Sequence, residues 1–281
     1  MVFPLGKAST LALAHLGCGN GSPSEPVMVS TLEMDPKKRF SKRAGYYSRY
    51  RPSYPGSLLR YLEHELCFSQ ASVVADVGSG TGMLSELLLK NGNRVFGVEP
   101  NEDMRRIAEA NLAKYKNFRS ISGSAESTTL ENGTVDFITA AQSFHWFNQE
   151  QTRAEFRRIL RNRGWVVLIW NTRKTSTPFL RAYEELVSWI SDNRRVRHED
   201  INDHALRSFL GDYRAAKLDN SQESDYEGLV GMLLSASYAP LRGEPLFDEM
   251  ITKVSELFNR YQVGGVVTFE YVTEVYAGQL G

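Results

Sequence analysis

Cysteine is scarce in this chain: its 281 residues hold two, Cys18 and Cys67, in no metal-ligand pattern. That scarcity excludes a disulfide framework and makes a reducing compartment, the cytoplasm, the expected setting. Net charge is absent as well. Lys plus Arg and Asp plus Glu are both 33, so the basic surplus with which a nucleic-acid binder neutralises phosphates is missing. No internal repeat is found, which argues against a solenoid or an array. With 42% hydrophobic residues, the chain can bury a full core as one large domain or at most two small ones.

Residues 1–35 stand apart. They hold small and polar residues and Pro4, Pro23 and Pro26, with Pro36 just beyond, and show no sustained period. They read as a poorly ordered extension, or as sequence upstream of a true initiator at Met28 or Met34. Lys7 and the run Ala8 to Ala14 begin like a secretory signal, but the apolar core is short, His15 interrupts it, and no suitable cleavage pattern follows. Leu16-Gly-Cys-Gly-Asn-Gly21 imitates a ligand-binding glycine turn, yet it lacks an upstream strand, an acid two residues before the first glycine and a downstream helix.

What the chain does contain is a strand, a glycine turn and a helix in immediate succession. Ser72-Val-Val-Ala75 leads into Asp76-Val-Gly-Ser-Gly-Thr-Gly82, and a helical pattern leaves it. The glycines allow a sharp turn and a close approach of backbone N–H groups to a ligand. A dinucleotide fingerprint would place its third glycine at position 83, where this chain has Met83. Asp76, two positions before Gly78, would repel a pyrophosphate and attract an ammonium or sulfonium group.

This stretch resembles motif I of the class I S-adenosylmethionine-dependent methyltransferases, of the methyltransferase type 11 and trans-aconitate methyltransferase kind. Later segments follow the order of that class. Arg94 to Pro100 is similar to its second strand, ending in Glu99, whose carboxylate the resemblance assigns to the ribose hydroxyls. Ser122-Gly-Ser-Ala125-Glu126 resembles the loop whose acid takes the adenine amino group. Val135 to Phe147 resembles the fourth strand with its substrate-facing loop, and Arg158 to Trp170 the helix, glycine turn and fifth strand that follow. The resemblance implies an α/β fold: a Rossmann-like, seven-stranded, mostly parallel sheet of order 3-2-1-4-5-7-6, with strand 7 antiparallel and helices on its flanks. It implies S-adenosylmethionine as cofactor and S-adenosylhomocysteine as product. The cofactor contacts it implies are Tyr47, Arg51, Asp76, Gly78, Ser79, Gly80, Gly82, Glu99, Pro100, Met104, Ala125, Glu126, Gln142 and Ser143.

Periodicity predicts helices over 56–68, 83–90, 101–114, 149–160, 178–190, 199–210, 227–240 and 247–261, and strands over 213–219 and 266–276. One domain is expected over 36–281, with helical insertions near 177–210 and 226–262 and an N-terminal flap over 41–55. In Tyr46-Tyr-Ser-Arg-Tyr-Arg51-Pro-Ser-Tyr-Pro55 the two prolines predict a loop. Its plain reading is a packed arm; the resemblance makes it a flap over the cofactor. Tyr47 would offer an aromatic face to the sulfonium and Arg51 a partner for a carboxylate, whereas Tyr50 and Tyr54 read as packing residues.

A sulfonium methyl is already activated, so the enzyme must align a nucleophile, exclude water and, where the acceptor requires it, remove a proton. His145, past the end of the fourth strand, is the candidate general base and equally a candidate pocket wall. Asp136 reads as a structural partner, Glu126 has a second reading as a helix cap, and the resemblance places Trp170 and Tyr238 at the acceptor. His198 and His204, six apart among acids, suit a solvated face better than a metal site, and none is expected. The sequence therefore predicts methyl transfer to a small-molecule acceptor, with O-methylation of a carboxylate or hydroxyl favoured, by a monomer or homodimer with no nucleic-acid or membrane partner. Two alternatives stay open: a non-catalytic S-adenosylmethionine-binding regulator and, further off, an NAD-dependent oxidoreductase.

Overall fold

Apolar runs too short for helices and rich in valine form the middle of a sheet, and helices fill the connections between them. The computed structural model describes residues 43–194 and 202–280, all in one compact unit, Met34–Gly281. The expectations for residues 1–35 and for His198 lie outside the described residues.

Seven strands make one sheet: β1 (Val73–Val77), β2 (Arg94–Val98), β3 (Phe118–Ile121), β4 (Val135–Ala141), β5 (Leu160–Arg173), β6 (Tyr213–Ser224) and β7 (Val267–Gly278). Their order is β3-β2-β1-β4-β5-β7-β6, the order expected from the sequence. The first five run parallel, and β7 lies antiparallel between β5 and β6. Register places Asp76 of β1 beside Gly97 on one side and Thr139 on the other. Because side chains alternate along a strand, both faces of the parallel part are buried. Ala75 and Val77 join Phe96, Val98, Ile138 and Phe156 on one face, and Val74 joins Leu62, Leu88, Val95 and Phe137 on the other.

Among the described residues, α1 (Ala44–Tyr50) and α2 (Ser57–Leu66) precede the sheet, and α3 (Met83–Lys90), α4 (Glu102–Leu112) and α5 (Gln149–Ile159) form its crossovers. Helices α2 to α5 bury stripes with three- and four-residue steps, such as Leu58, Leu62 and Leu66 or Met104, Ala108 and Leu112. Side-chain oxygens of Asn101 and Asn148 cap α4 and α5 by accepting from the amides of Met104 and Gln151. Later come α6 (Pro178–Arg194), α7 (Asp203–Leu210), α8 (Tyr226–Leu234) and α9 (Phe247–Tyr261). Helices α6, α8 and α9 share a separate core with Val267, Phe269 and Tyr271 of β7. The inserted helices thus stand over one end of the antiparallel strand.

Two local expectations need correction. Ala44–Tyr50, read from the sequence as loop, is a helix. Pro52 stops a helix only from its own neighbourhood onward, and the chain has already turned to extended backbone at Arg51. The sixth strand runs on from Asp219 to Ser224, because its whole length pairs with β7 from Tyr213↔Gly278 to Ser224↔Val267. Its polar residues hide that pairing from any pattern search.

Candidate active site

The turn after β1 is a backbone device. Gly78, Gly80 and Gly82 all have positive φ, at 68°, 56° and 85°, which a side chain would strain. A Cβ on Gly78 would also stand 2.6 Å from the Cβ of Ser143, whose hydroxyl donates to the Val77 carbonyl at 3.0 Å. Nothing lies within 4 Å of a Cβ built on Gly80, so the turn opens there onto free space. The amides of Gly78 and Ser79 donate to the Val98 carbonyl, tying the turn to the end of β2.

Glu99 completes that tie. Its carboxylate accepts from the Gly80 amide at 2.9 Å and the Asn101 amide at 2.8 Å, one bond per oxygen, and each oxygen keeps lone pairs for further donors. Burial raises its pKa above the usual carboxylate range against the pull of those two amides. Asp76 is buried, with one oxygen accepting from Ser85 Oγ at 2.6 Å and the other from Thr139 Oγ1 at 2.9 Å. Burial outweighs both hydroxyls and lifts its pKa to about 6. The hydroxyl of Thr81, also buried, has no hydrogen-bond partner among the described residues.

Two hollows meet here. One, of about 300 Å³, is walled by the turn from Gly78 to Thr81 together with Asp76 and Ala141, and the other, of about 400 Å³, by Arg51, Gln142, Asn171, Arg173, Met232 and Tyr271. Tyr47, Tyr54 and Met83 line both. Asp76 is the carboxylate in the lining of the smaller hollow, whereas Glu99, bonded to the Gly80 amide, lines neither hollow. The arrangement has room for one molecule beside the turn and a second next to it. The open cradle at Gly80 and the buried, unpartnered hydroxyl of Thr81 fit such a ligand.

A family profile described as methyltransferase domain matches residues 75–168, which span β1 through most of β5 and so contain the glycine turn and Glu99. Residues 75–168 thus match a methyltransferase domain, and the sheet around them has the strand order of the Rossmann-like methyltransferase fold. The chain is 32% identical over 158 residues to an uncharacterized methyltransferase of Mycobacterium tuberculosis, covering 56% of this chain and 62% of that one. To an uncharacterized methyltransferase-like protein of Schizosaccharomyces pombe it is 27% identical over 151 residues, 53% of this chain and 58% of the other. The chain therefore spans about three fifths of the length of these relatives. A solved structure of a candidate type II methyltransferase from Anaeromyxobacter dehalogenans superposes with a TM-score of 0.64 at 21% identity, covering 82% of this chain and 98% of that one. The methyltransferase fold is thereby shared, and class I methyltransferases use S-adenosylmethionine.

Within this methyltransferase domain the residues expected at the cofactor divide into groups. Tyr47, Asp76, Gly78, Ser79 and Gly80 line the smaller hollow. Gly82, at φ 85°, starts α3 behind the turn, and Glu99 holds the turn's amide. Met104 is buried on α4, and the Pro100 carbonyl accepts from Arg105. Ala125 is buried, whereas Glu126 accepts from the Asn148 amide at 2.9 Å, so its capping reading has a contact behind it. Arg51 and Gln142 line the larger hollow. Ser143 meets Gly78 through its side chain.

His145 sits on a short 3-10 turn, Phe144–Trp146, exposed and beside the Trp146 ring, and lines neither hollow. Trp170 packs edge-on between Phe144 and Tyr276 and lines neither hollow. Tyr238 is buried in the helical core and lines neither hollow. Asp136 is structural, accepting from the Val73 amide and pairing with Arg161. Tyr54, expected to pack, lines both hollows.

Sequence reasoning missed Arg173, Asn171 and Tyr271. The first two had a usable signal, because they end a parallel strand on the edge where ligands bind in open α/β sheets. Tyr271 had none, since its position depends on β7 lying antiparallel to β5, with Arg173 opposite Tyr271.

Proposed function

We propose that this chain transfers a methyl group from S-adenosylmethionine to a small-molecule acceptor, at a carboxylate or hydroxyl oxygen, by in-line displacement, and that residues 36–281 act as one domain in doing so. The observation that carries this reading is the pair of hollows that share Tyr47, Tyr54 and Met83. Donor and acceptor can then occupy separate compartments that touch at one place, which is what a single displacement needs. S-adenosylmethionine would supply an activated methyl group.

The protein's own part is binding and exclusion. Glu99 has lone pairs left for ribose hydroxyls, Asp76 brings negative charge beside the turn, and the Gly80 cradle admits the ligand to the backbone. Helix α1 and the segment to Pro55 roof both compartments through Tyr47 and Tyr54. They are held down by side chains of the far half of the chain: Asn171 and Asn220 donate to the Ser53 carbonyl, and Gln222 donates to that of Tyr50. A closed roof keeps water from a reactive methyl donor. Among the described residues, no helix is long and apolar enough to cross a membrane.

Calorimetric titration with S-adenosylmethionine, followed by measurement of S-adenosylhomocysteine release across a panel of acids, phenols, alcohols and amines, tests the proposal. Binding with acceptor-dependent release supports it. Binding without release on any acceptor supports a regulator, and tighter binding of NAD than of S-adenosylmethionine supports an oxidoreductase.

A further inference from the structure

The sheet ends differently on its two sides. At one edge stands β3, four residues long, and at the other stands β6, twelve residues long. β6 contains no proline, and its register with β7 runs unbroken from Tyr213 to Ser224, so no bulge bends it. Every second residue of such a strand turns its N–H and C=O groups away from the neighbour it already has. On β6 those outward groups have no hydrogen-bond partner among the described residues. Sheet edges are ordinarily kept from pairing by shortness, proline, a bulge, a cover or repelling charge. Among the described residues, only charge is left to do this for β6.

The charges on β6 instead suit a strand paired with itself. Lys217 and Asp219 sit two apart on one face, with side chains 73% and 90% exposed. Their partners within the chain, Glu274 at 3.3 Å and Lys174 at 2.7 Å, make surface ion pairs, which are weak and easily exchanged. When two copies of β6 run antiparallel about a two-fold axis at Leu218, Lys217 of each copy stands opposite Asp219 of the other. Leu218, half-buried on the opposite face, meets its own counterpart at the axis. Moving the axis by one residue to either side sets Lys217 against Lys217 or Asp219 against Asp219. The charges therefore select the register centred on Leu218. Beside that centre Ala216 falls opposite Asn220, so no bulky side chain obstructs the approach. The strand is also fixed from within, since Asn220 donates to the Ser53 carbonyl and Gln222 to that of Tyr50. An edge already held in its pairing shape has little left to order on association.

We propose that β6 is a self-association edge: two copies of this chain join antiparallel through it about Leu218, so that one continuous sheet runs through both. Such a contact uses the same edge on each copy and closes at two, leaving the short β3 at either end. It involves no residue lining either hollow, and so does not depend on the methyl-transfer reading.

Analytical ultracentrifugation of the full chain between about 1 µM and about 300 µM should show monomer giving way to dimer. In hydrogen exchange, alternate amides of β6 should be slow at the top of that range and fast at the bottom. Lys217→Glu and Asp219→Lys each turn two attractive cross-strand pairs repulsive, so either should weaken the dimer by about 10-fold or more. The double variant Lys217→Glu/Asp219→Lys restores both pairs across the interface while leaving Glu274 and Lys174 beside like charges within the chain, and it should recover dimerisation. A role confined to the monomer would make the double variant worse than either single one. Urea midpoints at low concentration report that each variant is folded. A chain that stays monomeric up to about 300 µM, a dimer that neither single variant weakens, or a double variant that dimerises no better than the single ones would each overturn the proposal. Protection of the outward β6 amides that does not change with concentration would show the edge covered by the chain's own residues, and would overturn it as well.

Discussion

Tyr50 lies flat against the bare backbone of Gly231, so closely that a Cβ on the glycine would overlap three ring carbons. The contact joins α1 to α8 and is reinforced on both sides. The Tyr50 hydroxyl donates to Glu227 at 2.6 Å, and the buried Arg43 donates to the carbonyls of Leu234, Ala236 and Ala239, past the end of α8. On its other side α1 meets α4, where Asn111 donates to Ser48 Oγ. One seven-residue helix therefore bridges the glycine-turn half of the domain and its inserted helices.

Gly231→Ala should push α1 off this seat. The expected cost is about 1–3 kcal/mol in urea unfolding, the usual range for an overpacked buried site. Amides of Ala44–Tyr50 should exchange faster. In a Tyr50→Ala background the same substitution should cost much less, because the clashing ring is gone. Equal costs in the two backgrounds would show that the ring contact does not hold the helix.

Glu99→Ala should weaken S-adenosylmethionine binding by about 1–3 kcal/mol in calorimetry, through loss of a buried acceptor and loosening of the Gly80 amide it holds. Glu99→Gln keeps one acceptor oxygen and should lose less. Unchanged affinity in both variants would remove Glu99 from the binding site.

Asp76 makes stability depend on pH. Its folded pKa of about 6 lies above its ordinary value of 3.8, so protonation is favoured by folding. Its contribution is present in full below pH 3.8 and is lost as pH rises through 6, so the ionised carboxylate costs the fold at neutrality. Each pKa unit corresponds to about 1.4 kcal/mol, so Asp76→Asn should gain roughly 2–3 kcal/mol relative to wild type between pH 4 and pH 8 in denaturant titrations. A difference that does not change with pH would show that the carboxylate is not buried as described.

His145→Ala should leave methyl transfer to the true acceptor nearly intact, since His145 is exposed and lines neither hollow. A working general base contributes about 10²- to 10⁴-fold, so a loss of that size would restore His145 to the mechanism.

Much of the domain was legible in its sequence because the informative features are local. The glycine turn is set by backbone freedom at Gly78, Gly80 and Gly82, its acid stands at the end of the next strand, and strand and helix alternate with recognisable periods. Short-range rules govern all of these, so the turn from Asp76 to Gly82 and the acid Glu99 beyond the next strand are readable from the sequence alone. The strand order came with the resemblance to a class of enzymes.

The larger hollow was decided by tertiary structure alone. Arg51 acquires its orientation from Ser235, 184 residues away, and Arg173 from Glu184 on a separate helix, while Tyr271 arrives opposite Arg173 only because β7 pairs antiparallel with β5. No period or motif encodes a meeting between residues so far apart in the chain. The sequence by itself determined the glycine turn and the acid that ties it to the next strand, because both are local; the packing of the inserted helices against β7 decided which side chains line the larger hollow.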